Sequence, residues 1–299
     1  MGKGMKALLI TACVSVFVGL ALLVGVMACG GKDVVAQAVQ GGVYFSEDGF
    51  HVGDMDVLKF ENTAELEFDT AKEMKFSADS FEDLELELTA GTFEIVEGDS
   101  DEIIVRSAKK ISMIQSGKKL VIDTDKGAKV HFFGVSEEGH HVEITLPKDK
   151  EFRNIDVEIG AGQLEADSLT AKDIEMQIGA GSIIVDTLIC EEGKISVGAG
   201  EAIIKEGISG ELDLDVGLGD LQYDGVLSGD LDADCGMGNM DIRLDGKEED
   251  FNYKIDVGMG DITVGNSSYG GMAQSKEIDN DAEAEMDLDC GMGSIKIKF

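Results

Sequence analysis

A glycine, any residue and a second glycine recur at Gly160/Gly162, Gly179/Gly181, Gly198/Gly200, Gly217/Gly219 and Gly236/Gly238, each first glycine 19 residues after the last. The pattern continues at Gly258/Gly260 and Gly291/Gly293, after intervals of 22 and 33 residues. Five residues before each pair alternate apolar and polar, as in Ile155-Asp156-Val157-Glu158-Ile159, which is the period of a half-buried strand. A fixed interval of this size with period-two alternation inside it marks a chain wound into stacked coils. The chain is therefore read as all-β, a parallel and right-handed β-solenoid with coils of about 19 residues.

Aligned columns explain why such coils stack. The fifth position of the unit reads Ile159, Ile178, Val197, Val216, Cys235, Val257, Cys290, and the third reads Val157, Met176, Ile195, Leu214, Ala233, Ile255, Leu288. Two residues after the second glycine stand Leu164, Ile183, Ala202, Leu221, Met240, Ile262 and Ile295. These three columns are expected to point inward. The second and fourth positions point out and carry Asp156, Glu158, Asp213, Asp215, Asp232, Asp234, Asp256, Asp287 and Asp289. Gly-x-Gly then occupies a bend between two strands, where φ is positive or where the next coil leaves no room for a Cβ. An earlier unit, Leu84-Glu85-Leu86-Glu87-Leu88 followed by Thr89-Ala90-Gly91, has Thr in the first glycine's place.

The extra residues are assigned to the surface. Asp250-Phe251-Asn252 adds three at one corner, and Gly265 to Glu285 adds 14 as a protruding loop. Ile103 to Pro147 reads as early, less regular coils with an excursion from Phe132 to His141. Cys235 and Cys290 share the fifth column, but the Val257 coil intervenes between theirs. Two coil steps, about 9.6 Å, exceed the reach of a disulfide, so both cysteines are expected to be buried free thiols.

The N-terminus differs in kind. Ala7 to Ala28 is an uncharged run of 22 residues behind Lys3 and Lys6, long enough to span a bilayer as a helix with the N-terminus inside. Val26-Met27-Ala28-Cys29 also resembles a lipobox, so a lipoprotein modified at Cys29 is the alternative. Both place the bulk of the chain outside the cell membrane. The domains are thus residues 1–29 as cytoplasmic tip and anchor, 30–80 as juxtamembrane stalk and irregular strands, and 81–299 as solenoid, regular from 155.

The strand ending Ile144-Thr145-Leu146-Pro147, followed by Val157-Glu158-Ile159-Gly160-Ala161-Gly162 and its successors, resembles the bacterial β-strand-repeat family called domain of unknown function 4097. The resemblance covers roughly residues 80 to 299. It implies an extracytoplasmic solenoid of proposed adhesive function, and no catalytic residues to carry over.

Charge narrows the functional classes. The formal net charge is −35, from 60 acidic and 25 basic residues, which repels nucleic acid and anionic lipid. An enzyme is not expected: the carboxylates run down whole columns, and the only arginines are Arg106, Arg153 and Arg243. No cofactor is expected either. The acidic columns offer oxygen ligands to Ca²⁺, but solvation by net charge is the simpler reading. His140-His141, without a spaced third ligand, reads as an exposed loop pair rather than a metal site. The expected function is a surface interaction or adhesin-like protein whose partner, another envelope protein or a surface ligand, is unidentified. The alternatives are an accessory protein of an envelope stress-response system and, more distantly, a carbohydrate-active β-helix enzyme.

Overall fold

The computed structural model describes residues 43–46, 49–52, 55–59, 73–107, 109, 111–124, 140–271 and 273–299. The apolar run from Ala7 to Ala28, the lipobox and Cys13 lie outside the described residues. Among the described residues no helix is long and apolar enough to cross a membrane. Residues 43–59 belong to one compact unit and all other described residues to a second. In the first unit, Val43–Ser46, Gly49–Val52 and Met55–Lys59 form a three-stranded antiparallel sheet with an irregularity between Phe50 and His51.

The second unit is all-β and wound in coils. A 16-residue strand such as Gln163–Ile178 pairs in parallel with Ser182–Val197, and that with Glu201–Val216, at offsets of 19. Each such coil has three pleated segments, whose inward residues in the Gly160 coil are Leu164 and Ala166, Leu169 and Ala171, then Ile174, Met176 and Ile178. All three columns expected to face inward are buried from end to end. The outward acids alternate with them, as the pleat requires.

The corners are not ordinary turns. Gly179 and Ala180 donate N–H bonds of 2.8 Å to the carbonyls of Ile159 and Gly160, and the same bonds recur coil after coil. The backbone ladder therefore continues through the corner. A Cβ on the second glycine of a corner would overlap the carbonyl oxygen of the equivalent glycine in the neighbouring coil, as Gly181 against Gly162 and Gly200 against Gly181. At the first glycine the approach is looser, 2.7 Å for Gly179 and 2.9 Å for Gly198. Close approach, not positive φ, is the reason for these glycines. Gly91, at φ 150°, combines the two, since a Cβ there would also overlap the His140 carbonyl oxygen.

The two glycines of a corner also differ in exposure. The first is exposed at Gly160, Gly179, Gly198, Gly217, Gly236 and Gly258, whereas Gly162, Gly219 and Gly238 in the second place are buried. Gly238 shows why. A Cβ there would overlap the Gly219 carbonyl oxygen and press on the Val216 side chain, and its own carbonyl accepts a bond from Cys235 Sγ at 3.2 Å. It belongs to the interior of the corner and offers nothing to a ligand.

Coil order departs from chain order at both ends, and this corrects the sequence reading. Leu231–Cys235 pairs not with Phe251–Val257 but with Ala284–Cys290, which in turn pairs with Phe251–Val257. The Gly291 coil thus lies between the Gly236 and Gly258 coils, and the Gly258 coil is outermost. The expected protruding loop is instead two short strands. Ser267–Gly270 runs antiparallel to Asp261–Val264, and Gln274–Ile278 runs antiparallel to Phe251–Val257. Asp250 closes a short 3-10 turn, while Phe251 and Asn252 are already in a strand.

The other end is built alike. The coil of Lys119–Asp123 and His140–Pro147 lies outside the coil of Asp83–Leu88 and Gly91–Gly98, though later in sequence. Beyond it, Ser112–Ser116 runs antiparallel to Lys119–Asp123, Glu102–Ser107 antiparallel to His140–Pro147, and Glu73–Ser77 antiparallel to Glu102–Ser107. Among the described residues of the segment 103–147, Lys119–Asp123 and His140–Pro147 belong to a coil, while the strands Glu102–Ser107 and Ser112–Ser116 cover an edge; the expected excursion lies, up to residue 139, outside the described residues. Open parallel edges invite pairing with other chains. Both ends close them with short antiparallel strands, and Gln274–Lys276 and Glu277 in the outermost strand are exposed.

Candidate interaction surface

The most ordered surface arises from three repeats of Asp-apolar-Asp. Strand register places Asp213, Asp232 and Asp287 side by side on successive coils, and Asp215, Asp234 and Asp289 beside them. Six carboxylates thus share a plate with rows about 4.8 Å apart. The sequence brings Asp213 to Asp232 and Asp215 to Asp234. The third row, from the Gly291 coil, joins only through the altered coil order. Lysines close the first column. Lys194 Nζ lies 2.6 Å from Asp213, and Lys254 pairs with Asp287. The second column has no such cation and runs on into Asp256.

Partial burial and crowding disfavour charge on this plate. Asp234, at its centre, is pushed up to about 6, first by burial and then by Asp232, Asp289 and Asp215. Burial followed by neighbouring carboxylates raises Asp232. Asp215 is also raised, by burial and then by Asp213. Alongside lies a shallow groove of about 770 Å³, lined on successive coils by Asp173, Glu192, Glu211, Asp230 and Glu285. Among the described residues no three His, Cys, Asp or Glu side chains converge to hold a metal ion.

The middle residue of Gly-x-Gly forms a column that alignment of core positions overlooks. In spatial order it runs Ala161, Ala180, Ala199, Leu218, Met237, Met292, Met259. Methyl groups thus occupy one half of the corner, and long apolar side chains the other. Leu218 is 60% exposed, Met237 55%, Met292 53% and Met259 65%. On one side of this ridge stand Asp215, Asp234, Asp289 and Asp256, each three residues before its ridge residue. On the other stand Asp220, which accepts a bond from Asn239, and Asp261, which accepts one from Ser294. A second exposed apolar row, Ile189, Ile208 and Val226, lies on another side of the coil. The signal was legible in the sequence, since a residue at the tip of a corner, between two glycines, has no core to enter.

Other candidates separate. His140 and His141 lie in a strand, not a loop, and alternate in burial: His140 is buried and His141 exposed. Burial first, and then Lys109, lowers the His140 pKa, and its Nδ1 has no hydrogen-bond partner. A pair facing opposite ways cannot share a metal ion. Inside the solenoid, Tyr223 OH lies 2.9 Å from Ser209 Oγ, which lies 3.4 Å from Cys190 Sγ. Gly207 makes room for the Tyr223 ring. This buried chain of polar groups satisfies itself and has no access to solvent.

The Toastrack DUF4097 family profile matches residues 81–289, and the chain belongs to that family. The fold is similar to that of a proposed cell adhesion protein from Clostridium sporogenes, at 17% identity, covering 76% of this chain and 99% of that one with a TM-score of 0.33. It is also similar to proposed adhesins from Bacteroides fragilis (13%, 77% and 98%, TM-score 0.39) and Parabacteroides merdae (13%, 76% and 96%, TM-score 0.37). No curated protein matches the chain.

Proposed function

We propose that this chain is a membrane-anchored, extracytoplasmic interaction protein, and that its contact surface is the corner carrying Leu218, Met237, Met292 and Met259. One observation carries the reading. A chain of net charge −35 keeps four long apolar side chains in register on its surface, where solvation gains nothing from them. Methionine suits such a place, because its flexible thioether adapts to partners of different shape. The anchor rests on the uncharged run from Ala7 to Ala28 behind Lys3 and Lys6, and the orientation on those two lysines. Membership of a family of extracytoplasmic solenoids agrees with both. A rigid stack suits presentation, since each coil's position is set by its neighbours and a surface row keeps its spacing.

The test uses the full chain on intact, wall-stripped cells. External protease should degrade residues 80–299 and leave Met1 to Lys6 protected. A photocrosslinking residue at position 292 should give one discrete adduct, weakened by Met237→Lys, and the same residue at position 208 should give none. No adduct from position 292, or equal adducts from both positions, removes the ridge as the contact surface. Protection of the solenoid from protease overturns the orientation.

A further inference from the structure

The altered coil order brings together two thiols that chain order keeps apart. Cys235 and Cys290 are direct partners in adjacent parallel strands, where Cα atoms lie about 4.8 Å apart, inside the 4.4–6.8 Å window of disulfides. Cys235 is 3% exposed and Cys290 0%, and both side chains enter the same core column. The Cys235 sulfur already leans toward the coil of Cys290: a Cβ on Gly293 would meet it at 2.7 Å. The Cys290 sulfur leans the other way, toward Gly260 of the outermost coil, so a turn about its χ1 brings the two together. Both are free thiols in the structure. From the Leu84 unit to the outermost Gly258 coil the rest of the fifth column is aliphatic: Leu88, Ile159, Ile178, Val197, Val216 and Val257. Its two cysteines stand on either side of the seam where the chain inserts a later coil between earlier ones.

We propose that Cys235 and Cys290 form a disulfide as the C-terminal coil enters the stack, and that this bond fastens the out-of-order coil in place. The Cys235 thiolate attacks an external disulfide, either a small one or that of a thiol–disulfide exchange protein, and releases one thiol. The Cys290 thiolate then displaces the second thiol from the mixed disulfide. Two cysteine thiols become one S–S bond, and the external disulfide takes up the two electrons and two protons as two thiols. The step belongs to assembly. Before Ala284–Cys290 docks, both sulfurs face solvent. After docking, burial pushes the Cys235 thiol up to about 12, where attack on an outside disulfide is slow. The bond closes a loop of some 55 residues across the outermost coil and its covering strands. In cells the proposal rests on the extracytoplasmic placement above, because such bonds persist in oxidising compartments.

The test refolds the reduced full chain with and without oxidised glutathione, then maps peptides without reduction after alkylating free thiols. The expected result is a Cys235–Cys290 peptide and a melting temperature roughly 10 °C above that of the reduced protein. In Cys235→Val with Cys290→Val, which fills the column as at Val216 and Val257, melting should not respond to oxidant. Full alkylation of both thiols after oxidative refolding, in protein with native far-ultraviolet circular dichroism, overturns the pair. So does an oxidant-dependent shift that survives in the double variant. Formation in vitro with free thiols in cells leaves the pair standing and overturns the oxidising location instead.

Discussion

The middle of the solenoid and its two ends obey different rules. From Gly160 to Gly236 each coil has a near copy on both sides, and the same residue type fills the same column on successive coils. At the ends the chain leaves that order. It lays antiparallel strands over the outer coils, and a later segment pairs where the next repeat was due. The middle is therefore constrained by repetition. The ends are constrained by the need to stop a parallel sheet without leaving an open edge. This difference predicts where a small change is tolerated and where it is not.

The largest expected effect is at the second corner glycine. In the middle, a Cβ at Gly200 overlaps the Gly181 carbonyl oxygen, and the coil cannot retreat because the Gly219 coil lies behind it. Gly200→Ala should destabilise by upward of about 3 kcal/mol, by displacing ladder bonds across the corner. At the end, a Cβ at Gly260 overlaps the Gly293 oxygen in the same way, but the outermost coil has only short strands beyond it. Gly260→Ala should cost about half as much. Gly198→Ala, where the approach is 2.9 Å, should cost about 1 kcal/mol. Urea unfolding of the three variants ranks them. Equal losses at Gly200 and Gly260 would show that the ends are as constrained as the middle.

Legibility in the sequence follows the same division. The inward columns, the outward acids and the stacking register were readable because a single period carried all of them. Val157, Met176 and Ile195 needed only to be aligned. Coil order was not readable. Each repeat matches every other repeat well enough to pair with it, so alternation alone cannot say that Cys290 sits beside Cys235 rather than beyond Val257. The burial of Gly238 was hidden as well, because a glycine has no side chain whose polarity could mark which way it faces. The antiparallel strands were missed for another reason. Ser267–Gly270 and Gln274–Ile278 each turn a single large apolar residue, Tyr269 and Ile278, against the core and so lack the apolar alternation by which a strand is recognised in sequence. The His140-His141 pair was misplaced because its strand's apolar residues, Val142, Ile144 and Leu146, begin only after it. At the candidate surface, the acidic rows were legible and their third member was not. The Leu218–Met259 ridge was present in the repeat but stands outside the core columns.

Titration separates the acidic plate from the N-terminal end by sign. Asp234 has its folded pKa raised to about 6 from 3.8. Its contribution is fully present below pH 3.8 and is lost as pH rises through about 6. A shift of that size corresponds to about 3 kcal/mol when fully buried. Discounted for solvent at this partly exposed group, it is about 1 kcal/mol. His140 is lowered from 6.5, so its contribution is present above 6.5 and lost as pH falls below that value. Stability of the plate should therefore decline between pH 4 and 7. Asp234→Asn should remove most of that decline, while His140→Gln should remove a loss on the acid side. The check is denaturant unfolding at several pH values. An Asp234→Asn curve that keeps the same slope as wild type from pH 4 to 7 would mean that the plate is too well solvated to matter.

The smallest effect sharpens the comparison at single ion pairs. Lys194 and Lys254 close the same acidic column from opposite directions, one in the middle and one on the outermost coil. Each has its pKa raised, first by its bonded carboxylate and further by other acids nearby: Asp213, then Asp215 and Glu175 for Lys194, and Asp287, then Asp256 and Glu285 for Lys254. Exposed pairs of this kind contribute about 0.2–1 kcal/mol. Lys194 lies between Glu175 and Asp213 on two fixed coils, so Lys194→Gln leaves those acids facing one another with nowhere to move. Lys254 lies between Asp287 and Glu277, and Glu277 belongs to an exposed edge strand that can give way. Lys194→Gln should thus cost about 1 kcal/mol and Lys254→Gln about half of that. At 1 M salt, where screening acts over about 3 Å, both variants should approach wild type. A loss that persists at high salt would assign these lysines a packing role, their methylenes covering the sheet, in place of an electrostatic one.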